Sequence, residues 1–412
     1  MGWTCRKYET TARMVERKMN ILGINGSIGW DGNINMISTH MDDMWVHGSG
    51  ATLFIDGELR GSLSEERLTR IKYDGNYPLN TINNLLERNN LSPDDINVVA
   101  YVGSPTNMSL YLREGGYTEG TLSNIFKNAE IKLIDHHLAH GAGSFLSSGF
   151  ESANIYTFDG AGDIFRFPPD NTTLRGNNSR FFNGDFNKKT IDSIYSTHLP
   201  TSQLGRFFSN LSWVIYNLKV KGDNKDDDAW KWYDPISRES YPGKIMGLSA
   251  YGDASNVKYD NYFEIEFEES AVLAISTEDG DPIIMDANTD LDGISQYEPE
   301  DLAAWVQEQF QRILLQFFEN IPKEIKKDKL CLGGGCALNI LANSAILENG
   351  IYEDVHVNTA PNDDGLSFGG AILVAFEKEK DLILPDNMGC IGFDYNEMDI
   401  QETISKFEMD RL

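Results

Sequence analysis

The chain has 412 residues, 41% of them hydrophobic and 11% aromatic, enough to bury a large core in two or more packed lobes. Its formal net charge of −28 repels phosphate backbones and argues against a long nucleic-acid partner. No apolar run approaches the ~20 residues of a membrane helix, and four scattered cysteines (Cys5, Cys331, Cys336, Cys390) argue against a disulfide framework and for a reducing, cytoplasmic setting.

Residues 1–19 read as a flexible leader. They carry Arg6, Lys7, Arg13, Arg17 and Lys18 but no apolar core, so they are not a secretion signal, and Arg6 breaks the myristoylation pattern. A first lobe is expected over 20–150. Strands at Asn20–Ile24 and Ala51–Ile55 flank a glycine-rich polar excursion, Asp56-Gly57 turns the chain, and Glu58–Ser64 returns as a third strand. Ile82, Leu85 and Leu86 give helical spacing over Pro78–Asn89. Strands follow at Asn97–Val102 and Ile131–Ile134, then a helix opened by Asp135-His136-His137-Leu138-Ala139-His140 and running through Phe145.

A second lobe is expected over 151–384. It opens with a strand at Asn154–Phe158 and a turn at Asp159-Gly160-Ala161-Gly162-Asp163. Pro168–Asp228, rich in Asn, Asp, Gly and Ser, reads as long loops around one helix near Phe207–Leu218, and Tyr259–Asp301 as acidic and irregular. An amphipathic helix bears Leu302, Trp305, Val306, Phe310, Ile313, Leu314 and Phe317. Then come a strand at Lys329–Leu332, the turn Gly333-Gly334-Gly335, a helix from Ala337, a strand at Val355–Asn358 and a helix over Gly365–Lys378. Two hairpin-led sheets with glycine turns aimed at one cleft form an α/β pattern. It is that of duplicated ribonuclease-H-like lobes, the actin-like ATPase (ASKHA) fold, although no close sequence repeat accompanies it.

Several of these turns can carry chemistry. His136 and His140 share one helix face, and with a carboxylate from elsewhere they suit zinc or ferrous iron; an ordinary histidine pair is the alternative. The Asp159–Asp163 turn could admit a phosphate and hold a metal, or be a plain hairpin turn. Gly333–Asn339 lacks both the dinucleotide and the P-loop spacing, yet its amides and the following helix could accept an anion or nucleotide; a tight strand–helix turn is the alternative. Asp363-Asp364-Gly365 precedes a helix, where an aspartate usually caps. Glu65-Glu66-Arg67 with Arg70 and Lys72 is a solvated charge run or an anion site. His47, in His47-Gly48-Ser49-Gly50-Ala51, heads a strand as a general base could.

Together these segments resemble the O-carbamoyltransferases of the nodulation-factor and antibiotic type (the NodU/CmcH class). More distantly they resemble the synthases that make threonylcarbamoyladenosine on tRNA. The resemblance runs from about Asn20 to Asp394. It rests on His47–Ala51, Ser64–Lys72, Asp135–His140, Phe158–Asp163, Gly243-Lys244-Ile245-Met246-Gly247-Leu248, Gly333–Asn339 and Asn362–Gly370 in order.

It implies that carbamoyl phosphate and ATP form carbamoyl-adenylate in a YrdC-like domain, and that the actin-like part passes the carbamoyl group to a hydroxyl. The acceptor would be a small molecule or a nucleotide. The resemblance further implies a divalent metal, iron first, with zinc or manganese as alternatives, held by His136, His140, Asp159 and Asp363. His47 and Lys72 would act at the carbamoyl group or acceptor. Asp159, Gly160, Gly162 and Gly333, Gly334, Gly335 and Asn339 would line the adenylate site.

Three departures stand out. The segment 26–45 lengthens the approach to His47, Gly141 replaces the usual alanine, and residues 385–412 read as the start of a truncated or absent YrdC-like domain. A separate YrdC-like protein is therefore expected to supply activation, and a homo-oligomer is possible. A tRNA threonylcarbamoyl-transfer enzyme and a non-catalytic nucleotide-binding regulatory subunit are the rival readings.

Overall fold

The computed structural model describes residues 18–28, 47–102, 117–160, 164–166, 174–176, 179–196, 204–221, 235–258, 264–267, 273–276, 296–379, 381–390 and 395–406. The first sheet is built from β1 (Asn20–Asn25), β2 (Gly50–Ile55), β3 (Glu58–Ser64), β4 (Val98–Val102) and β5 (Glu130–Ile134), in the order β3-β2-β1-β4-β5. β1 pairs antiparallel with β2 and parallel with β4. Its helices are the short α1 (Glu66–Thr69), α2 (Leu79–Arg88), α3 (Tyr117–Ile125) and α4 (His136–Ser147). At the β2–β3 hairpin, Asp56 and Gly57 both adopt positive φ, as a two-residue turn of this hand requires.

The second sheet repeats that plan. β6 (Ser152–Phe158) is followed by a two-stranded ribbon of β7 (Ile164–Arg166) and β8 (Leu174–Gly176), then β9 (Ser179–Asp185) and β10 (Thr190–Ser196). β11 (Glu264–Phe267) and β12 (Leu273–Ser276) form a second ribbon, and β13 (Lys329–Gly333) and β14 (Asp354–Val357) complete the sheet in the order β10-β9-β6-β13-β14. β6 runs antiparallel to β9 and parallel to β13, as β1 does to β2 and β4. The duplication invisible as a sequence repeat is thus explicit as topology, and the fold is the actin-like pair of ribonuclease-H-like lobes.

The helices of this half are α5 (Leu204–Lys221), α6 (Pro235–Leu248), α7 (Pro299–Glu319), α8 (Ile340–Glu348) and α9 (Leu366–Lys378), with α10 (Glu397–Lys406) beyond them. β9 and β10 correct the expectation of loops across 168–228. Phe181 and Phe182 are buried while their neighbours are polar, so the stretch reads as polar although it pairs with the core strand β6.

Three apolar clusters make the layers. Leu22, Leu53, Ile82, Leu85 and Phe126 pack α2 and α3 on the outer face of the first sheet. Tyr156, Phe158, Phe208, Phe310, Phe317 and Phe318 pack α5 and α7 on the outer face of the second. Between the sheets lie α4 and α9, joined through Ala139, Ala142, Phe145, Phe368, Ala371 and Ile372. Each of these two helices packs on the other half's sheet: α9 on β1, β2 and β4, and α4 on β6, β9 and β13. The crossing is close because Gly369 has no side chain; a Cβ there would meet the Ala139 carbonyl oxygen at 2.0 Å. This exchange brings the N-terminal ends of α4 and α9 to one place. Among the described residues no helix is long and apolar enough to cross a membrane.

Candidate metal centre

Asp135 caps α4, its Oδ1 accepting the Leu138 amide at 2.8 Å and the Arg180 guanidinium at 2.8 Å. His136, directly after that cap, and His140, one turn further in, project together, their Nε2 atoms 3.2 Å apart. Asp159, just past the end of β6, places Oδ2 3.7 Å from His136 Nε2 and 3.2 Å from His140 Nε2. Asp363, in the turn before α9, places Oδ1 3.7 Å and 3.4 Å from the same two nitrogens. Four donor atoms from three separate chain segments lie within 4.8 Å of one another. His137 takes no part: its Nδ1 lies 3.0 Å from the Thr157 hydroxyl, in the packing against the second sheet.

The donor set fits a divalent cation. Around a metal with bonds of about 2.1 Å, neighbouring donors sit about 3.0 Å apart in an octahedron and about 3.4 Å apart in a tetrahedron. The separations of 3.2 to 3.7 Å among these atoms span the tetrahedral value and lie above the octahedral one. The charge balance points the same way. Burial alone would lower the His140 pKa, but hydrogen bonds and attraction from Asp159 and Asp363 outweigh it and raise it to about 9. Burial opposes ionisation of Asp159, yet hydrogen bonds from His136 and His140 hold its carboxyl well below the usual carboxylate range. Asp363 is lowered too, against burial, by the charges of His47 and His136 and a hydrogen bond from His140. Two carboxylates this close, Asp363 buried and Asp159 partly so, demand positive charge, from a proton or from a metal.

The other expected site residues surround this cluster unevenly. His47 Nε2 lies 3.8 Å from Asp363 Oδ2, and its side chain is 22% exposed. Lys72 is exposed, its Nζ 4.3 Å from the centre of the Tyr73 ring. Gly160 borders Asp159, donating its amide to Oδ1 at 2.6 Å, whereas Gly162 lies outside the described residues. The Gly333–Gly335 turn backs onto the centre: a Cβ on Gly333 would meet the His140 carbonyl oxygen at 2.9 Å.

The amides of Gly334 and Gly335 already donate within the protein, to Pro361 O at 2.7 Å and to Asp159 Oδ2 at 3.1 Å. Asn339 caps α8 through Ala342 N at 3.1 Å and exchanges hydrogen bonds with Gln307 at 2.9 and 3.0 Å. Its side chain therefore faces α7 and α8. No aspartate side chain caps α9: Asp363 turns to the histidines, and Asp364 accepts from Asn362 at 2.9 Å.

Supporting roles emerge that the sequence did not show. Asn25, at the end of β1, donates to the carbonyls of Gly48 and Asp363 at 3.0 and 3.2 Å, tying the His47 loop to the Asp363 turn. Glu65 is buried and structural. Its carboxylate accepts the Asn80 and Thr81 amides at 3.1 and 2.8 Å, capping α2. Arg67 and Arg70 beside it stay exposed, so the charge run divides into a buried anion and surface cations.

A family profile described as "Carbamoyltransferase N-terminus" matches residues 104–372. The chain belongs to the carbamoyltransferase family. The nodulation protein NolNO of Sinorhizobium fredii is 24% identical over 382 residues, covering 87% of this chain and 50% of its own. Nodulation protein U of Azorhizobium caulinodans is 50% identical over a stretch of 42 residues, covering 10% of this chain and 8% of its own. The solved structure of full-length HypF in its phosphate- and nucleotide-bound form is 17% identical, covering 89% of this chain and 47% of that one, with a TM-score of 0.47. This carbamoyltransferase-family chain thus spans about half the length of NolNO.

Proposed function

We propose that this chain moves a carbamoyl group from carbamoyl-adenylate to the hydroxyl of a small molecule or nucleotide, in a step that requires a divalent metal. The observation that carries this reading is the convergence of His136, His140, Asp159 and Asp363, with His47 on the far oxygen of Asp363, in a chain of the carbamoyltransferase family. The acceptor oxygen attacks the carbamoyl carbon, the bond from that carbon to the phosphate oxygen breaks, and AMP departs with the electron pair. The acceptor proton goes to His47, whose imidazolium the Asp363 carboxylate would stabilise. A metal held by the two histidines and two aspartates, iron by family resemblance with zinc or manganese as alternatives, would supply positive charge against the developing negative charge. Lys72 adds a second cation at the edge of the site, and the Asp159–Gly160 and Gly333–Gly335 turns would border the adenylate. Activation of carbamoyl phosphate with ATP is assigned to a YrdC-like protein or domain.

The test generates carbamoyl-adenylate in place with a YrdC-like enzyme, carbamoyl phosphate and ATP, and offers sugars, polyols and nucleosides as acceptors. Acceptor-dependent AMP release and a carbamoylated product are expected, slowed by ~10²-fold or more in His47→Ala. AMP release and product formation no greater than with the YrdC-like enzyme alone would overturn the proposal.

A further inference from the structure

Between β3 and α2 the chain passes through α1 and a tight turn in which Arg70 and Tyr73 both have left-handed backbone, φ 64° and 58°. For a bulky aromatic residue that conformation is an outlier. It persists where the surroundings over-determine it, and such residues cluster at functional sites. Here the surroundings do so. The Glu66 carboxylate accepts the Tyr73 amide at 2.9 Å. The next residue, Asp74, is buried and accepts the Thr69 hydroxyl at 2.7 Å and the Asn76 backbone and side-chain amides at 3.0 and 2.8 Å. The same turn clamps the loop that carries His47. Ser49 N donates to Asp74 O at 2.8 Å, and Glu65 N donates to Ser49 O at 2.8 Å.

The ring held by this strained backbone touches both residues assigned to proton transfer and charge. It meets the His47 imidazole edge-on, centroids 6.3 Å apart and planes at 77°. The Lys72 ammonium lies 4.3 Å from the ring centroid, within cation–π range.

We propose that Tyr73 is a positioning residue of the transfer site: its left-handed backbone wedges the ring against His47, keeping the imidazole on Asp363, and holds Lys72 at the cleft. The proposal rests on the roles given above to His47 and Lys72, and deepens them.

Tyr73→Gly, Tyr73→Leu and Tyr73→Phe test it by three readouts in the full chain: the thermal midpoint, the NMR signals of the His47 ring protons (assigned by their loss in His47→Gln), and kcat and KM for transfer. In Tyr73→Gly and Tyr73→Leu the His47 signals are expected to move. In Tyr73→Gly the midpoint should hold or rise as strain is released. Its kcat should fall by about 10- to 10²-fold with KM little changed, as for a reacting group displaced by up to about 1 Å. Tyr73→Phe keeps the ring and should leave the His47 signals in place. A lower midpoint with His47 signals and kcat per folded molecule unchanged would make Tyr73 purely structural and overturn the proposal. Absence of transfer in the wild type would instead remove the functional reading, and the His47 signals would still decide the positioning.

Discussion

His47 Nε2 stands 3.8 Å from Asp363 Oδ2, while Oδ1 of the same carboxylate faces His140 Nε2 at 3.4 Å. One carboxylate therefore belongs to both the candidate metal centre and the candidate base, and substitutions should separate the two. His47→Gln is expected to keep about one metal per chain while slowing transfer. Asp363→Asn should weaken metal binding by at least about 10²-fold and slow transfer as well. The His136→Ala, His140→Ala double variant should hold no metal. Elemental analysis of anaerobically purified protein checks all three, and full metal retention in the double variant would remove the site.

The pH dependence follows from His140. In the metal-free chain its pKa is raised to about 9, above the unfolded value of about 6.5. Its contribution to stability is full below about pH 6.5 and is lost as pH rises through 9. Asp159 and Asp363 are depressed, so their contribution is present above about pH 4 and lost on acidification. The chelator-treated chain should then be most stable between about pH 4 and 6.5, and its thermal midpoint should fall toward pH 9.5. Metal removes the alkaline fall by displacing the His140 proton. Thermal scans compare the wild type with His140→Gln, in which the alkaline fall should flatten; an equal fall in both proteins would contradict this assignment.

Two glycines of the candidate nucleotide site should behave oppositely. Gly334 has φ 90°, and a Cβ there would meet Phe158 O at 2.3 Å, so Gly334→Val should cost at least about 2 kcal/mol of stability. Gly160 has open space where its Cβ would be. Gly160→Val should fold normally and weaken binding of AMP by about 10-fold by filling ligand space. Denaturant unfolding and calorimetry measure the two effects. Equal AMP affinity in wild type and Gly160→Val would remove Gly160 from the site.

The parts of this molecule that were legible in the sequence are those whose signal is local. The Asp56-Gly57 hairpin turn, the i,i+4 histidine pair on α4 and the apolar stripe of α7 all carry their period or turn chemistry within a few residues. β9 and β10 were not legible. β9 takes its strand character from pairing with β6 and β10 from pairing with β9, and their turn uses Lys189 at φ 55°, where glycine or asparagine would have signalled it. Glu65 was ambiguous for a related reason, since its partners Asn80 and Thr81 lie 15 and 16 residues away across a turn. Asp363 looked like a helix cap because that is the usual task of an aspartate before a helix. The family resemblance names it as a metal ligand, and the exchange of α4 and α9 between the sheets brings it to the histidines.

The most direct test of metal-centred transfer is the rate of AMP release from carbamoyl-adenylate, with acceptor present, as a stripped chain is titrated with ferrous iron. The rate should rise in proportion to bound metal and level off at about one equivalent, with no rise in the His136→Ala, His140→Ala variant at matched folded concentration. A rate independent of metal occupancy, or an equal rise in the double variant, would contradict metal-dependent transfer at His136, His140, Asp159 and Asp363.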